Sequence, residues 1–214
     1  MSALRTPAAF FQYLRVNNML GPVLSQPEVD GLNQIVTASA TAAWPMSWTA
    51  YALATAYHET NHGMQPVKEM GGSAYFLRMY DIKGNRPDVA RDLGNLTPGD
   101  GAKYCGRGYP QVTGYTNYRK ADIAFGLSGA LIANPDLMLG SALAAKTMIM
   151  FMEAGSFTGK SCASYLTTKT NNAPIDRSHF GSARRIINGI DRADLIAGYA
   201  MDFQQALVAG GWTL

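Results

Sequence analysis

Residues 56–69 read AYHETNHGMQPVKE and carry two carboxylates, Glu59 and Glu69, ten positions apart. Two carboxylates held on opposite sides of a sugar, one protonated and one ionised, are what acid/base cleavage of a glycosidic bond requires. The same letters spell HExxH, with His58, Glu59 and His62. On a helix that pattern sets two imidazoles one turn apart to ligate zinc, with the glutamate as base. The zinc reading needs a third ligand. The only other histidine is His179, which lies in no recognisable ligand motif, and nothing marks Glu69 or Glu153 for the role. His62 also directly precedes Gly63, a predicted helix stop, where side-chain placement is loose.

The elements around these residues decide what they can do. Pro45 and Ser47 open a helix whose apolar positions Trp48, Leu53, Ala56 and Tyr57 recur at helical spacing, and Gly63 with Pro66 ends it. Glu59 therefore falls in the last turn. There the negative end of the helix dipole disfavours a second negative charge, and Tyr57 with the apolar face adds desolvation. Both effects favour the protonated acid, so Glu59 is placed as a proton donor. An unbroken helix would carry Glu69 about 15 Å further along the axis. The break at Gly63–Pro66 lets the chain double back and hold Glu69 across a cleft, within reach of the roughly 6.5–9.5 Å separation that an inverting mechanism needs. As residues alone, both glutamates also suit surface pairing with Lys68 or Arg78.

A chain of 214 residues that is 47% hydrophobic and 15% charged can bury a substantial core. The formal net charge of +3 suits an anionic partner without requiring one. Lys and Arg form no stripe and no nucleic-acid motif is present, so nucleic acid is not an expected partner. The two cysteines, Cys105 and Cys162, are too few for a disulfide scaffold and are read as free thiols. No apolar run reaches the length of a signal peptide's core or a membrane span. The expectation is a protein without membrane insertion, made without a classical export address.

Thr6-Pro7 starts a predicted helix to about Asn17, and Ser25 with Pro27 a second to about Ala40, with Val29, Leu32, Ile35 and Val36 on one face. Residues 70–103 are rich in Gly, Pro, Asp and Asn and read as a long irregular segment with one short helix near Pro87–Leu93. Tyr104–Thr113 reads as a turn and a short extended run, and Asn117–Phe125 as a helix. Leu139–Gly155 is the most apolar helical stretch and is expected at the centre. Asp176 is expected to cap a helix to Ile187, and Asp191 to start the last one, to Val208. The fold expected is mainly α, with at most a small β element and two helical lobes around a cleft.

The segment YCGRGYPQVTGYTNY, residues 104–118, resembles the YYGRGxxQLT/SxxxNY signature of family 19 glycoside hydrolases, the class I-type chitinases and related phage endolysins. His58-Glu59-Thr60 resembles that family's first catalytic segment, and Met64–Glu69 the QPVxE form of its phage-type members. Asn134–Leu137 (NPDL) and Arg185–Gly189 (RIING) resemble two later segments, and the likeness runs in order over about residues 48–200. It implies a lysozyme-like superfamily fold and an inverting mechanism without metal or organic cofactor. Glu59 matches the general acid, Glu69 the general base, and Thr113 the hydroxyl that holds the attacking water. Gln111 and Asn117 match polar sugar-binding positions, Asn188 a late cleft-lining position, and Arg107 a residue bracing the acid. His58 supports Glu59, and Tyr104 is a candidate sugar platform. The residues themselves leave blander roles open: a strand threonine for Thr113, core aromatics for Tyr104 and Tyr115, a surface ion pair for Arg107, a helix C-cap for Asn188-Gly189. The chain departs from the signature at Cys105, where a second aromatic is usual, and at Tyr109, where plant chitinases carry proline. Its acid–base interval is far shorter than theirs and similar to that of phage-type members.

Together these readings predict a single catalytic domain over 1–214, with N-terminal helices in 1–43 and a glycosidase core in 44–214. The expected enzyme is a monomeric endolysin with N-acetylmuramidase (lysozyme) activity on bacterial cell-wall peptidoglycan. It would be made in the host cytoplasm and reach the periplasmic side through a separate holin-type pore. The alternatives are a chitinase, an HExxH zinc metallopeptidase, and a wall-binding module without catalysis.

Overall fold

The computed structural model describes residues 4–213. By its backbone contacts the chain forms two compact units, one of Met1–Gln65 with Ala145–Leu214 and one of Pro66–Ala144.

The first unit holds α1 (Pro7–Val16), α2 (Gln26–Thr41) and α3 (Met46–Glu59). In the other unit lie β1 (Val67–Lys68), α4 (Ser73–Tyr80), α5 (Pro87–Asp92), α6 (Asp100–Lys103), β2 (Arg107–Gly108), α7 (Tyr115–Ala124) and α8 (Ala130–Ala133). Helix α9 (Ser141–Ala154) begins there and continues into the first unit, which α10 (Arg177–Ala183) and α11 (Ala193–Ala209) complete.

The centre of the first unit is α3, in which every residue from Met46 to Tyr57 is buried. The sequence leads one to expect the centre at Leu139–Gly155. Helix α9 instead keeps Ala142, Lys146 and Ala154 exposed. The reason is side-chain size. Helix α3 alternates Ala and Thr among its aromatics, which lets α11 and α2 approach it closely, whereas the apolarity of α9 comes from long methionines filling one face. Helix α11 packs on α3, α1 and α10, and α2 packs on α3. Phe10, Leu14, Leu32, Ile35, Phe203 and Leu207 are fully buried. Helix α2 starts with the capping box that Ser25 and Glu28 form reciprocally. It meets the segment after α3 so closely that a Cβ on Gly31 would lie 1.7 Å from the Met64 carbonyl oxygen.

In the second unit β1 and β2 pair antiparallel, Val67 opposite Gly108 and Lys68 opposite Arg107. The segment 70–103, expected to hold one helix, holds three. They run four to eight residues, too short to show periodicity. Side chain-to-backbone bonds secure them. Asp81 accepts from the N–H groups of Lys83 (3.1 Å), Gly99 (2.8 Å) and Gly101 (3.2 Å). Burial pushes its carboxyl pKa up, and these three donors outweigh that and hold it below its ordinary value. The fold is mainly α with one two-stranded ribbon, as expected. Both cysteines are buried free thiols. Among the described residues no helix is long and apolar enough to cross a membrane.

Candidate active site

Helix α3 ends at Glu59, and the buried Thr60 closes it. The Thr60 hydroxyl donates to the Ala56 carbonyl (2.7 Å) and accepts from the Met64 N–H (2.9 Å). Between these anchors Asn61, His62 and Met64 all adopt left-handed backbone (φ 49°, 72° and 51°). The chain thus leaves the helix in a tight, strained turn. Glu59 Oε1 accepts a 2.7 Å hydrogen bond from Arg184 Nη1. The arginine side chain is 2% exposed and the glutamate 22%. Arg184 Nε donates to the Asp191 carbonyl (2.9 Å), which fixes the guanidinium from behind. Glu59 therefore faces a fixed positive charge that its place at a helix end did not foretell. His58 beside it is half-buried, and desolvation lowers its pKa from the ordinary imidazole value. Asn188 is exposed on the segment after Arg184, its N–H bonded to the Arg184 carbonyl (2.9 Å).

The HExxH geometry is not formed. His62 lies beyond the helix end, stacked on Tyr57 (centroids 4.2 Å apart, planes 23°), with Nε2 3.4 Å from the Tyr199 hydroxyl. Glu153, a candidate third ligand, accepts from Trp44 Nε1 (2.7 Å) and Lys169 Nζ (2.6 Å). His179 Nδ1 pairs with the Tyr165 carbonyl at 3.1 Å. Among the described residues no three His, Cys, Asp or Glu side chains gather as metal ligands would.

In the second unit Glu69 follows β1 and is held at three points. Its N–H donates to the Gly106 carbonyl (2.9 Å), the Gly106 N–H donates to its Oε2 (3.1 Å), and the Tyr80 hydroxyl donates to its Oε1 (2.7 Å). Gly106, the first glycine of GRG, is surrounded by side-chain oxygens. A Cβ there would lie 2.5 Å from Gln111 Oε1, 3.1 Å from Glu69 Oε2 and 3.2 Å from Thr113 Oγ1. Glycine lets these three oxygens converge over the backbone. The Thr113 hydroxyl donates to the Gln111 carbonyl (3.0 Å), so its lone pairs stay open to an incoming donor. Gln111 sits in left-handed backbone (φ 59°) and donates through Nε2 to the Val67 carbonyl (3.2 Å). Its Oε1 is buried with no hydrogen-bond partner in the protein. Asn117 Nδ2 donates to the Thr113 carbonyl (2.9 Å), tying α7 to the same loop.

Tyr104, expected as a sugar platform, and Arg107, expected to brace the acid, both lie buried and bonded within the protein. Tyr104 is 3% exposed, its hydroxyl 3.3 Å from the Ile132 carbonyl and its ring packed against Tyr115 and Tyr118. Arg107 is 4% exposed. Its Nε donates to Asp136 (2.6 Å) and its Nη1 to the carbonyls of Lys103 (3.0 Å) and Cys105 (2.9 Å). That guanidinium holds the Asp136 carboxyl below the usual range. Arg107 thus braces the GRG loop, and the arginine that meets Glu59 is Arg184. Sequence reasoning stopped one residue short of it, at Arg185. An arginine pair inside an otherwise apolar stretch was the available signal. Tyr80 carries no such signal, because its eight-residue helix is too short to show periodicity in the sequence.

A helical protein presenting two partly exposed carboxylates, one on a buried arginine and one beside a threonine hydroxyl and an amide, has the parts of a glycoside hydrolase. The chain belongs to glycoside hydrolase family 19: the family model described as chitinase class I matches residues 32–198. Its solved structural neighbours are chitinases with the lysozyme-like helical fold, which this chain shares. Chitinase C from Streptomyces griseus superposes with a TM-score of 0.58 at 22% identity, over 97% of this chain and 77% of that one. A mutant of chitinase C gives 0.56 at 24%, over 99% and 94%. A bacterial family 19 chitinase gives 0.54 at 22%, over 94% and 93%. No curated protein matches.

Proposed function

We propose that this chitinase-like hydrolase is an endolysin-type N-acetylmuramidase that cuts the β-1,4 bonds of peptidoglycan with inversion. Glu59 donates a proton to the leaving oxygen, and Glu69 deprotonates a water aimed by Thr113, which attacks the anomeric carbon from the opposite face. The observation carrying the acid/base reading is the convergence of the Glu69, Thr113 and Gln111 oxygens over Gly106. A carboxylate, a hydroxyl with free lone pairs and a buried amide oxygen without a partner form a polar cluster suited to a water and a sugar N–H or O–H. Gln111, Asn117, Asn188 and His58 are the sugar-contacting or supporting residues of this reading.

Peptidoglycan is favoured over chitin by the ten-residue acid–base interval, which resembles that of phage-type relatives, and by a positive net charge suited to an anionic wall. The enzyme would act as a monomer, reaching the wall from the host cytoplasm through a separate membrane pore. Chitin is the second reading, supported by the chitinase names of the structural neighbours. Mass spectrometry of fragments released from purified sacculi separates the two. Fragments ending in a reducing N-acetylmuramic acid are expected, and intact sacculi beside digested chitin would overturn the proposal. Glu59→Gln keeps the size and removes the acid, so turnover should fall by about 10²-fold or more. Wild-type rates in that variant would end the assignment.

A further inference from the structure

One contact of Glu69 lies outside the family signature. The Tyr80 hydroxyl is 2.7 Å from Glu69 Oε1, and since an ionised carboxylate only accepts, the tyrosine donates. Tyr80 is itself held firmly. Its ring lies nearly parallel to Phe76 one turn earlier (centroids 6.4 Å apart, planes 14°). Its carbonyl accepts from Asn95 Nδ2 (2.9 Å), whose Oδ1 in turn accepts from the Tyr115 N–H (2.9 Å) at the start of α7. The hydroxyl is therefore delivered by α4 and braced from the α7 side. Tyr75 and Arg86 are the other titratable groups acting on it, and the Glu69 charge in turn acts on the buried Cys105 thiol. Desolvation first, then the bond to Glu69, pushes the Tyr80 hydroxyl well above its ordinary pKa, so it stays protonated as a donor.

We propose that Tyr80 is the positioning residue of the base: it clamps Oε1 of Glu69 while the Gly106 N–H clamps Oε2, so the carboxylate keeps one orientation throughout turnover. The inference rests on Glu69 being the base. A carboxylate has about four lone-pair sites. One donor on each oxygen leaves each oxygen with a site for a water proton, and it stops the side chain from rotating off the attacking line. Such alignment acts on the chemical step and not on sugar binding.

The test measures kcat and KM for Tyr80→Phe, Glu69→Gln and the double variant, on whichever of purified sacculi or chitohexaose the wild type digests. Tyr80→Phe should lower kcat about tenfold with KM within about twofold. On the Glu69→Gln background it should cost nothing further, because the group it aligns is gone. Wild-type kcat in Tyr80→Phe beside a crippled Glu69→Gln overturns the clamp and leaves the base in place. So do losses that multiply in the double variant, which would mark Tyr80 as a prop independent of Glu69. Wild-type turnover in Glu69→Gln removes the base assignment and the clamp with it. If Tyr80→Phe does not fold, 4-aminophenylalanine at position 80 keeps the ring and puts a neutral amine, a weaker donor than the hydroxyl, against Glu69 Oε1. There kcat should fall with KM unchanged, and an unaltered kcat overturns the proposal.

Discussion

Glu59 and Arg184 stand 125 positions apart in the chain and 2.7 Å apart in the fold. The guanidinium serves two acceptors, the Glu59 carboxylate and the Asp191 carbonyl, with two differently directed N–H groups. A lysine offers one point charge and cannot span both. Arg184→Met leaves a partly solvated carboxylate and a bare carbonyl, so stability should fall by about 1–3 kcal/mol, read by urea unfolding. Arg184→Lys should recover only part of that loss. His58 supplies a pH dependence. Its imidazole pKa is lowered, by desolvation first, with the Glu59 charge opposing. Between the folded and unfolded pKa values the unfolded chain binds more protons, so stability rises with pH through that window. The contribution is complete above the unfolded value of about 6.5 and is lost as pH falls below it. His58→Gln should therefore lose less Tm than wild type between pH 7 and pH 5. An identical pH dependence of Tm in both proteins would contradict this.

At the scale of elements, the exit from α3 matters most, because it sets where Glu59 ends and where the next segment begins. Thr60 ties the last turn to Met64 through both faces of one buried hydroxyl. Thr60→Val keeps the shape and removes both bonds. The expected loss is about 1–3 kcal/mol, with activity falling alongside it as the turn loosens. Wild-type Tm and rate would show that the left-handed turn holds without its tie. Several elements were legible in the chain because their signals are local. Ser25 and Glu28 form the capping box that their spacing announces. The helix starting at Pro7 falls where proline places it, whereas α3 ends at Glu59, ahead of the Gly63 expected to stop it, because Thr60 closes it first. Other caps were not. Thr6 and Asp176 precede helices but make no side-chain cap bond, and the last helix starts after Arg192 in left-handed backbone instead of at Asp191. Those ends are held by packing, which leaves no local mark.

On the scale of the whole molecule, the first unit is built from both ends of the chain. Helix α1 packs on the C-terminal α11, and α2 on α3. Phe10, Leu14, Leu32, Ile35 and Val36 bury their side chains in that unit. At about 1.5–3 kcal/mol for each such side chain, they carry stability comparable to that of a whole domain. Removing residues 1–43 should therefore prevent folding instead of leaving an active remainder. Circular dichroism of the truncated chain should show no cooperative thermal transition. A sharp transition with retained hydrolysis would assign the N-terminal helices a separate role.

The chain by itself determined what short-range chemistry can write: a mainly helical fold, a carboxylate at a helix end, a glycine turn in front of a threonine, and the family to which these belong. Tertiary structure alone decided which arginine meets Glu59, which tyrosine holds Glu69, and that Tyr104 and Arg107 face inward. Local pattern records how a residue sits on its own element. Partners brought together from 11 to 125 positions away are chosen by how the elements pack, and charge and burial act only once that packing exists.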